Sequence, residues 1–292
     1  MKRLIVTADD FGASLPVNEA IEQAHRNGIL TAASLMVGAP AALDAVERAK
    51  RMPSLKVGLH VVLVNGRPLL PAACVPDLVD DQGRFSTHLV RAGINFFFRR
   101  KTKQQLEGEI RAQFAAFRDS GLPLDHVNAH NHMHVHPTIL SLILKLGREY
   151  GVHAVRLPHE PLLSSWRAAH DALPKRFAGS LLLNPWMSLM RWRLRKAQIV
   201  HNDYIFGMSD TGHMTEERVL GQLAHLPHGV SEMYFHPALA KCAHMDPGTA
   251  DYHCEEEFRA LTSPAVANAL RQNGIQKISF TDLAAATAQG NA

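Results

Sequence analysis

The chain has 292 residues, is 46% hydrophobic by composition and carries a formal net charge of +4 from 31 basic and 27 acidic residues. That length and apolar fraction suit one large core of barrel size, and the small basic excess argues against a dedicated nucleic-acid binder. Cys74, Cys242 and Cys254 are odd in number and hold no Cys-x-x-Cys pair; this supports neither a disulfide framework nor a thiolate zinc site, and reduced cytoplasmic thiols are the simplest reading.

Met1-Lys2-Arg3 leads into only a short apolar stretch before Asp9 and Asp10, so the start does not read as a signal peptide. Residues 4–8 read as a buried strand. The helix expected over 16–27 sets Val17, Ala20, Ile21 and Ala24 on one face and stops at Gly28. A strand over 33–37, a helix over 41–51 and a strand over 57–63 follow, then a long amphipathic helix over 103–120 with Leu106, Ile110, Phe114 and Phe117 inward. The next strand ends in a histidine-rich run, Pro137 opens a helix to Tyr150, and 154–157, 231–235 and 277–280 complete the expected strands. Repeated β/α units predict a parallel sheet closed or nearly closed into a barrel, one domain over 1–292 with insertions near 84–103 and 160–215. No run reaches the roughly 20 apolar residues of a spanning helix. The longest, 181–190, is interrupted by Asn184, Pro185 and Ser188.

The histidine run places His126, His130, His132, His134 and His136 at even positions. On an extended segment that spacing would line one face with imidazole donors, the commonest metal ligands. A strand rises about 3.3 Å per residue, which would separate His130 from His136 by roughly 20 Å, so at most two or three can share one ion. Other polar residues have the same address. Asp9-Asp10 follows the first strand, His60 lies in the third, His130 ends a middle strand and His236 follows Glu232-Met233-Tyr234-Phe235. In a β/α barrel the C-terminal strand ends converge on the active site. Each has a plainer reading in isolation: a helix-capping turn for Asp9-Asp10, a hydrogen-bonded core histidine for His60, a strand terminator for His236-Pro237.

Thr7-Ala8-Asp9-Asp10-Phe11-Gly12, Gly58-Leu59-His60, Asn128-Ala129-His130-Asn131-His132-Met133-His134 and Phe235-His236-Pro237-Ala238 resemble, in order, the motifs of the YdjC-like carbohydrate deacetylases, which include chitooligosaccharide deacetylase. The resemblance spans residues 3 to about 285. Leu63-Val64-Asn65-Gly66-Arg67-Pro68-Leu69-Leu70-Pro71, Pro76-Asp77-Leu78-Val79-Asp80 and Glu255-Glu256-Glu257-Phe258 followed by Leu261-Thr262-Ser263-Pro264 are similar to the hopanoid-biosynthesis branch. The resemblance implies an α/β, distorted TIM-like barrel with helical insertions and one divalent metal held by Asp10, His60 and His130. It assigns Asp9 as general base and His236 as general acid. Two imidazoles and a carboxylate favour zinc, cobalt or another transition ion, whereas family assignments often name magnesium. The middle motif departs from the commoner Asp-Ser-His-His-His form. Asn128 replaces the aspartate and Asn131 a histidine, which removes a carboxylate that would orient an imidazole, although an asparagine still accepts a hydrogen bond.

The reaction so implied is hydrolysis of the acetamide of an N-acetylhexosamine. It needs an activated water, stabilisation of the oxyanion and a proton for the leaving amine. Ile94-Asn95-Phe96-Phe97-Phe98-Arg99-Arg100-Lys101, and Leu182, Leu183, Trp186, Leu189, Met190, Trp192 and Leu194 among Arg191, Arg193, Arg195 and Lys196, couple apolar to basic residues. They suit the interface of an anionic membrane, and equally a core-covering insertion or an oligomer contact. With the hopanoid branch, the expected partner is an N-acetylated sugar or glycolipid reached at the inner membrane face by a cytoplasmic protein, with these segments as a cover. A soluble chitooligosaccharide and a noncatalytic carbohydrate-binding barrel are the alternatives. Arg156 and Asp210 sit near strand or loop ends, as pocket or structural residues.

Overall fold

β1 (Lys2–Phe11) is the axis of the fold because both of its faces are covered: Leu4, Ile5, Val6 and Ala8 have no exposed surface, the pattern of a strand inside a parallel sheet. The computed structural model describes the backbone of residues 1–169, 173–240 and 249–290, and the side chains of all of these except 169, 173–184 and 290. Cys242 and the side chains of Leu182 and Leu183 lie outside the described residues.

α1 (Leu15–Asn27) buries Val17, Ala20, Ile21 and Ala24, the expected face. It ends where a β-carbon on Gly28 would come within 2.2 Å of the Leu261 carbonyl. β2 (Ala32–Leu35), α2 (Ala42–Lys50) and β3 (Lys56–Val61) follow. The segment expected to be an insertion near 84–103 contains α3 (Leu89–Phe98), and the long helix, α4 (Arg100–Asp119), begins earlier than expected. β4 (Leu124–Ala129) then leads through a short 3-10 turn to α5 (Pro137–Tyr150), whose Pro137 sits in the first turn and whose end is Gly151 at φ 71°, a left-handed stop that favours glycine. After α6 (Leu162–Ala169) and α7 (Leu173–Lys196) come β5 (Tyr204–Phe206), α8 (Glu216–Ala224), β6 (Gly229–Phe235), α9 (Cys254–Thr262), α10 (Pro264–Gln272), β7 (Ile275–Lys277) and α11 (Phe280–Gly290). β5 belongs to the central sheet although it lies within 160–215.

The ladders are parallel, in the order β4-β3-β2-β1-β6-β5. β7 pairs with Lys2–Leu4 of β1, below the stretch that β2 takes from Thr7 onward. Between β4 and β5 the curl is carried by single bridges, Val127 to Val155 and Ala154 to Val200, with Ile205 N–H on the His159 carbonyl at 3.0 Å. The result is an α/β, distorted TIM-like barrel.

Two expected strands come out differently. Residues 154–157 form two bridges rather than a strand, since Pro158 follows with no N–H to extend a ladder. Residues 277–280 divide at Ser279, whose hydroxyl accepts from Asp282 N–H at 3.1 Å while Asp282 Oδ2 accepts from Ser279 N–H at 2.8 Å. That reciprocal cap turns Phe280 into the first residue of α11. Among the described residues no helix is long and apolar enough to cross a membrane.

Candidate active site

Asp9 and Asp10 are adjacent yet serve different places. The register of β1 against β2 shifts between Ala8 and Phe11, and Asp10 takes φ 62°, a left-handed conformation that aspartate tolerates better than most residues. Asn18 of α1 holds the turn by accepting from Gly12 N–H at 2.7 Å and donating to the Ala41 carbonyl at 3.0 Å. Asp9 consequently sits in the barrel floor and Asp10 at its rim.

At the rim, Asp10 Oδ1 lies 3.3 Å from His60 Nε2 and 3.2 Å from His130 Nδ1, and the two rings meet edge to face with centroids 5.5 Å apart. His60 is in register with Asn128 across β3 and β4. Its Nδ1–H donates to Asn128 Oδ1 at 2.7 Å, so Nε2 is bare. Two imidazole nitrogens and a carboxylate oxygen within 4.8 Å of one another form a donor set that fits a divalent transition ion. Burial opposes the charge on Asp10, but His130 outweighs it and holds the carboxyl well below the usual range.

In the floor, Arg156 is fully buried. Its guanidinium donates to Asp9 at 2.6 and 2.9 Å and to Glu232 at 2.8 and 3.0 Å. Thr7 Oγ1–H adds a bond to Glu232 at 2.7 Å, and Asn128 Nδ2–H one to Asp9 at 3.1 Å. Burial alone would raise the Asp9 pKa; the Arg156 charge overcomes it and holds Asp9 ionised far below the usual carboxylate range. The ring of Tyr234 lies 4.9 Å from the Arg156 guanidinium carbon, and its hydroxyl is 2.6 Å from Thr211 and 3.2 Å from His132; burial pushes that phenol well up. Arg156 therefore meets Asp9 directly and is absent from the lining of the cleft. Asp210 is likewise absent, and is held by Gln222 at 3.2 Å.

His236 follows β6. Its backbone N–H donates to Glu257, which also accepts from Met214 N–H at 3.0 Å, and its ring stands between Tyr234 and Tyr252, with centroids 5.6 and 5.0 Å away. Burial raises the Glu257 pKa. Glu257 was legible only as one of three consecutive glutamates; it is the buried one, with Glu255 and Glu256 exposed.

The histidine run is not one extended face. Asn131 and His132 take φ 52° and 53° and break the alternation after His130. His134 accepts from Ala129 N–H at 3.1 Å through Nδ1 and donates to the Arg156 carbonyl at 3.1 Å through Nε2. His136 donates to the Gly93 carbonyl at 3.0 Å, tying α3 to the start of α5. Burial lowers the His132 pKa to about 3 and takes His134 well below the usual imidazole value.

A cleft of about 1090 Å³ opens over these groups, with Asp9, Asp10, His130 and His236 in its lining. Its outer wall comes from residues 62–96 and includes Leu69, Leu78, Val79, Phe85 and Phe96 beside Arg91 and Asn95. α3 thus faces two ways: Ala92 and Phe96 line the cleft, while Val90 and Phe98 are 79% and 75% exposed. α7 is placed differently. Trp186 is half-buried and donates to the Val135 carbonyl at 2.7 Å, Arg193 donates to Ser141 at 2.7 Å, and Trp192 faces outward.

The chain matches the YdjC-like protein family over residues 3–272. It is 33% identical over 284 residues to a carbohydrate deacetylase of Brevibacillus brevis, covering 96% of this chain and 99% of that one. It is 30% identical over 282 residues to a carbohydrate deacetylase of Geobacillus stearothermophilus, covering 95% and 96%. A solved Enterococcus faecalis structure, named for cellobiose-phosphate cleavage, superposes with a TM-score of 0.73 at 25% identity over 97% of this chain and 98% of that chain. Matched from its first strand to its tenth helix, with the Asp10, His60 and His130 cluster at the strand ends, the chain belongs to the YdjC-like protein family.

Proposed function

We propose that this protein is a metal-dependent hydrolase that removes the acetyl group from an N-acetylhexosamine, releasing acetate and a free amine. The observation that carries the reading is the cluster of Asp10, His60 and His130 donors, of which Asp10 and His130 line one cleft together with Asp9 and His236. The relatives named carbohydrate deacetylase support the same chemistry. Asp10, His60 and His130 would hold one divalent ion, zinc or another transition ion by donor type and magnesium by family habit. When bound, that ion supplies Lewis acidity toward the acetyl carbonyl and an acidified water.

The remaining work falls to the chain's own groups. Asp9 remains ionised at working pH because Arg156 holds it so, and it takes a proton from water as the new C–O bond forms at the acetyl carbon. His236 gives a proton to the nitrogen as the C–N bond breaks. Arg156 and Asn128 fix the Asp9 carboxylate, so its orientation is set before substrate arrives.

The substrate we propose is an N-acetylglucosaminyl hopanoid lipid, met at the inner membrane face. At about 1090 Å³ the cleft lies just above the ~300–1,000 Å³ usual for ligand sites. Its outer wall sets Leu69, Leu78, Val79, Phe85 and Phe96 among charged groups such as Arg67, Asp77, Asp80 and Arg84, and it is bordered by the helix whose other face presents Val90, Ile94 and Phe98 to solvent. Arg99, Arg100 and Lys101 follow directly, so apolar insertion and attraction to anionic headgroups would act together.

Acetate release from N-acetylglucosaminyl bacteriohopanetetrol and from diacetylchitobiose, with flotation on anionic vesicles, tests the reading. The lipid should be preferred, and Phe98→Glu and Trp192→Glu should lose vesicle binding while their turnover of any soluble substrate is retained. Preference for diacetylchitobiose without vesicle binding would assign the soluble reaction; no acetate from either substrate with metal bound would leave a noncatalytic barrel.

A further inference from the structure

Asp125, His126 and Ser34 stand in the order of a nucleophilic triad. His126 Nδ1 lies 2.9 Å from Asp125 Oδ2, and its Nε2 lies 3.0 Å from Ser34 Oγ. All three are buried, and none lines the cleft, so Ser34 has no route to a substrate. The hydroxyl is already engaged on its other side, accepting from Asn128 Nδ2 at 3.0 Å.

We propose that Asp125, His126 and Ser34 form a buried donor–acceptor chain that acts through Asn128 to fix the tautomer of His60, keeping its Nε2 lone pair turned toward Asp10 and His130. They are positioning residues, and the use of that lone pair for a metal rests on the deacetylase reading above.

The direction of every bond follows from counting hydrogens. Asp125 Oδ1 accepts from the backbone N–H and the hydroxyl of Thr281 at 2.8 and 2.7 Å, which leaves Oδ2 to accept from His126 Nδ1–H. A neutral imidazole has one N–H, so Nε2 must accept, and among the described residues the hydrogen facing it is that of Ser34. Ser34 Oγ then has a lone pair for one Asn128 Nδ2–H, and the other Nδ2–H goes to Asp9 at 3.1 Å. With both amide hydrogens committed, Asn128 can present only its oxygen to His60, and Nδ1 must carry the His60 proton. Reversing the amide would point Oδ1 at the Asp9 carboxylate. The chain thus converts a charge near the start of α11 into a bare nitrogen at the rim.

Two local features keep the chain intact. Gly58 lies two residues before His60, and a β-carbon there would come within 2.5 Å of the His126 ring. Phe280 packs against that ring with centroids 4.8 Å apart. His126, Asn128 and His130 occupy alternate positions, so β4 and the first residue after it present the chain, its output and the neighbouring donor in succession.

The test is the long-range proton–nitrogen spectrum of the histidine rings in metal-stripped protein at a pH where they are neutral, for wild type, Ser34→Ala and His126→Phe. Wild-type His60 should be the Nδ1–H tautomer alone, and both variants should show a mixture. The double variant should resemble the single ones, because one chain is broken in each. Phe280→Leu, which loosens the packing without removing a hydrogen bond, should keep the wild-type tautomer. Affinity for cobalt, read from its absorption spectrum in competition with a chelator, should fall about tenfold in Ser34→Ala, the lower end of the range for partners behind a metal ligand. An Nε2–H tautomer in wild type, or unchanged His60 signals in both variants, would overturn the proposal. A wild type that binds no metal but shows the expected tautomers would overturn the metal reading and leave the chain standing.

Discussion

The floor of the barrel and the outer face of α3 are built by opposite rules. In the floor, Asp9, Asn128, Arg156, Thr7 and Glu232 Oε1 bond to one another, Glu232 Oε2 is left without a hydrogen-bond partner among the described residues, and Arg156 has no exposed surface at all. Around α3, large apolar side chains stand in water next to Arg99, Arg100 and Lys101. A group in the floor is specified by its partners, so replacing it leaves another buried group unpaired and costs stability. A group on the α3 surface has little to lose by replacement except whatever it touches outside the molecule. Stability should therefore report on the first region and binding on the second.

Arg156→Met should produce the largest loss of stability. It leaves Asp9 and Glu232 buried without their cation, and urea unfolding at neutral pH should show a loss of about 3–5 kcal/mol, as for other broken buried pairs. A loss within the ~0.5 kcal/mol typical of surface substitutions would mean that the floor is not held by charge pairing. Gly58→Ala should cost about 1–3 kcal/mol, the range for overpacking a core, because the added methyl meets the His126 ring and carbonyl.

The pH dependence sharpens the same contrast. His134 has its folded pKa depressed by burial, so the stability it contributes is fully present above the unfolded value of ~6.5 and is lost as pH falls toward the folded value. The physical event is loss of the acceptor for Ala129 N–H. Asp9 and Asp10, also depressed, add a second loss that begins near the unfolded carboxylate value of ~3.9 and continues as pH falls through their folded values. Melting temperatures from pH 7 to 5 should fall in wild type, and fall less steeply in His134→Gln. Parallel curves would show that His134 does not carry the linkage. The smallest change in stability is expected for Phe98→Glu, within about 0.5 kcal/mol; a larger loss would mean that this face is packed rather than offered to a partner.

Much of this arrangement was readable in the chain because strands with fully buried faces appear as apolar runs. β1, α1, β3, α4 and α5 were expected near where they lie, and the polar residues at the strand ends come together as Asp10, His60 and His130. β5 is three residues long, too short for any periodicity. The turn at Asn131 and His132 depends on positive φ values that no spacing of histidines announces. Arg156 offered a signal, a cation inside an apolar stretch, but its partners Asp9 and Glu232 lie 147 and 76 residues away, and only sheet order brings them to it. The direction of the Asn128 amide depends on neighbours from β2 and β1, which residue spacing within β4 does not encode.

The central claim concerns chemistry at the rim, and acetate release from an N-acetylhexosaminyl substrate before and after metal exchange addresses it most directly. Protein stripped by a chelator should be inactive, and zinc or cobalt should restore wild type but not Asp10→Ala. Release that survives complete metal removal, or that Asp10→Ala recovers on reloading, would contradict the assignment of Asp10, His60 and His130 as the metal-holding groups of a deacetylase.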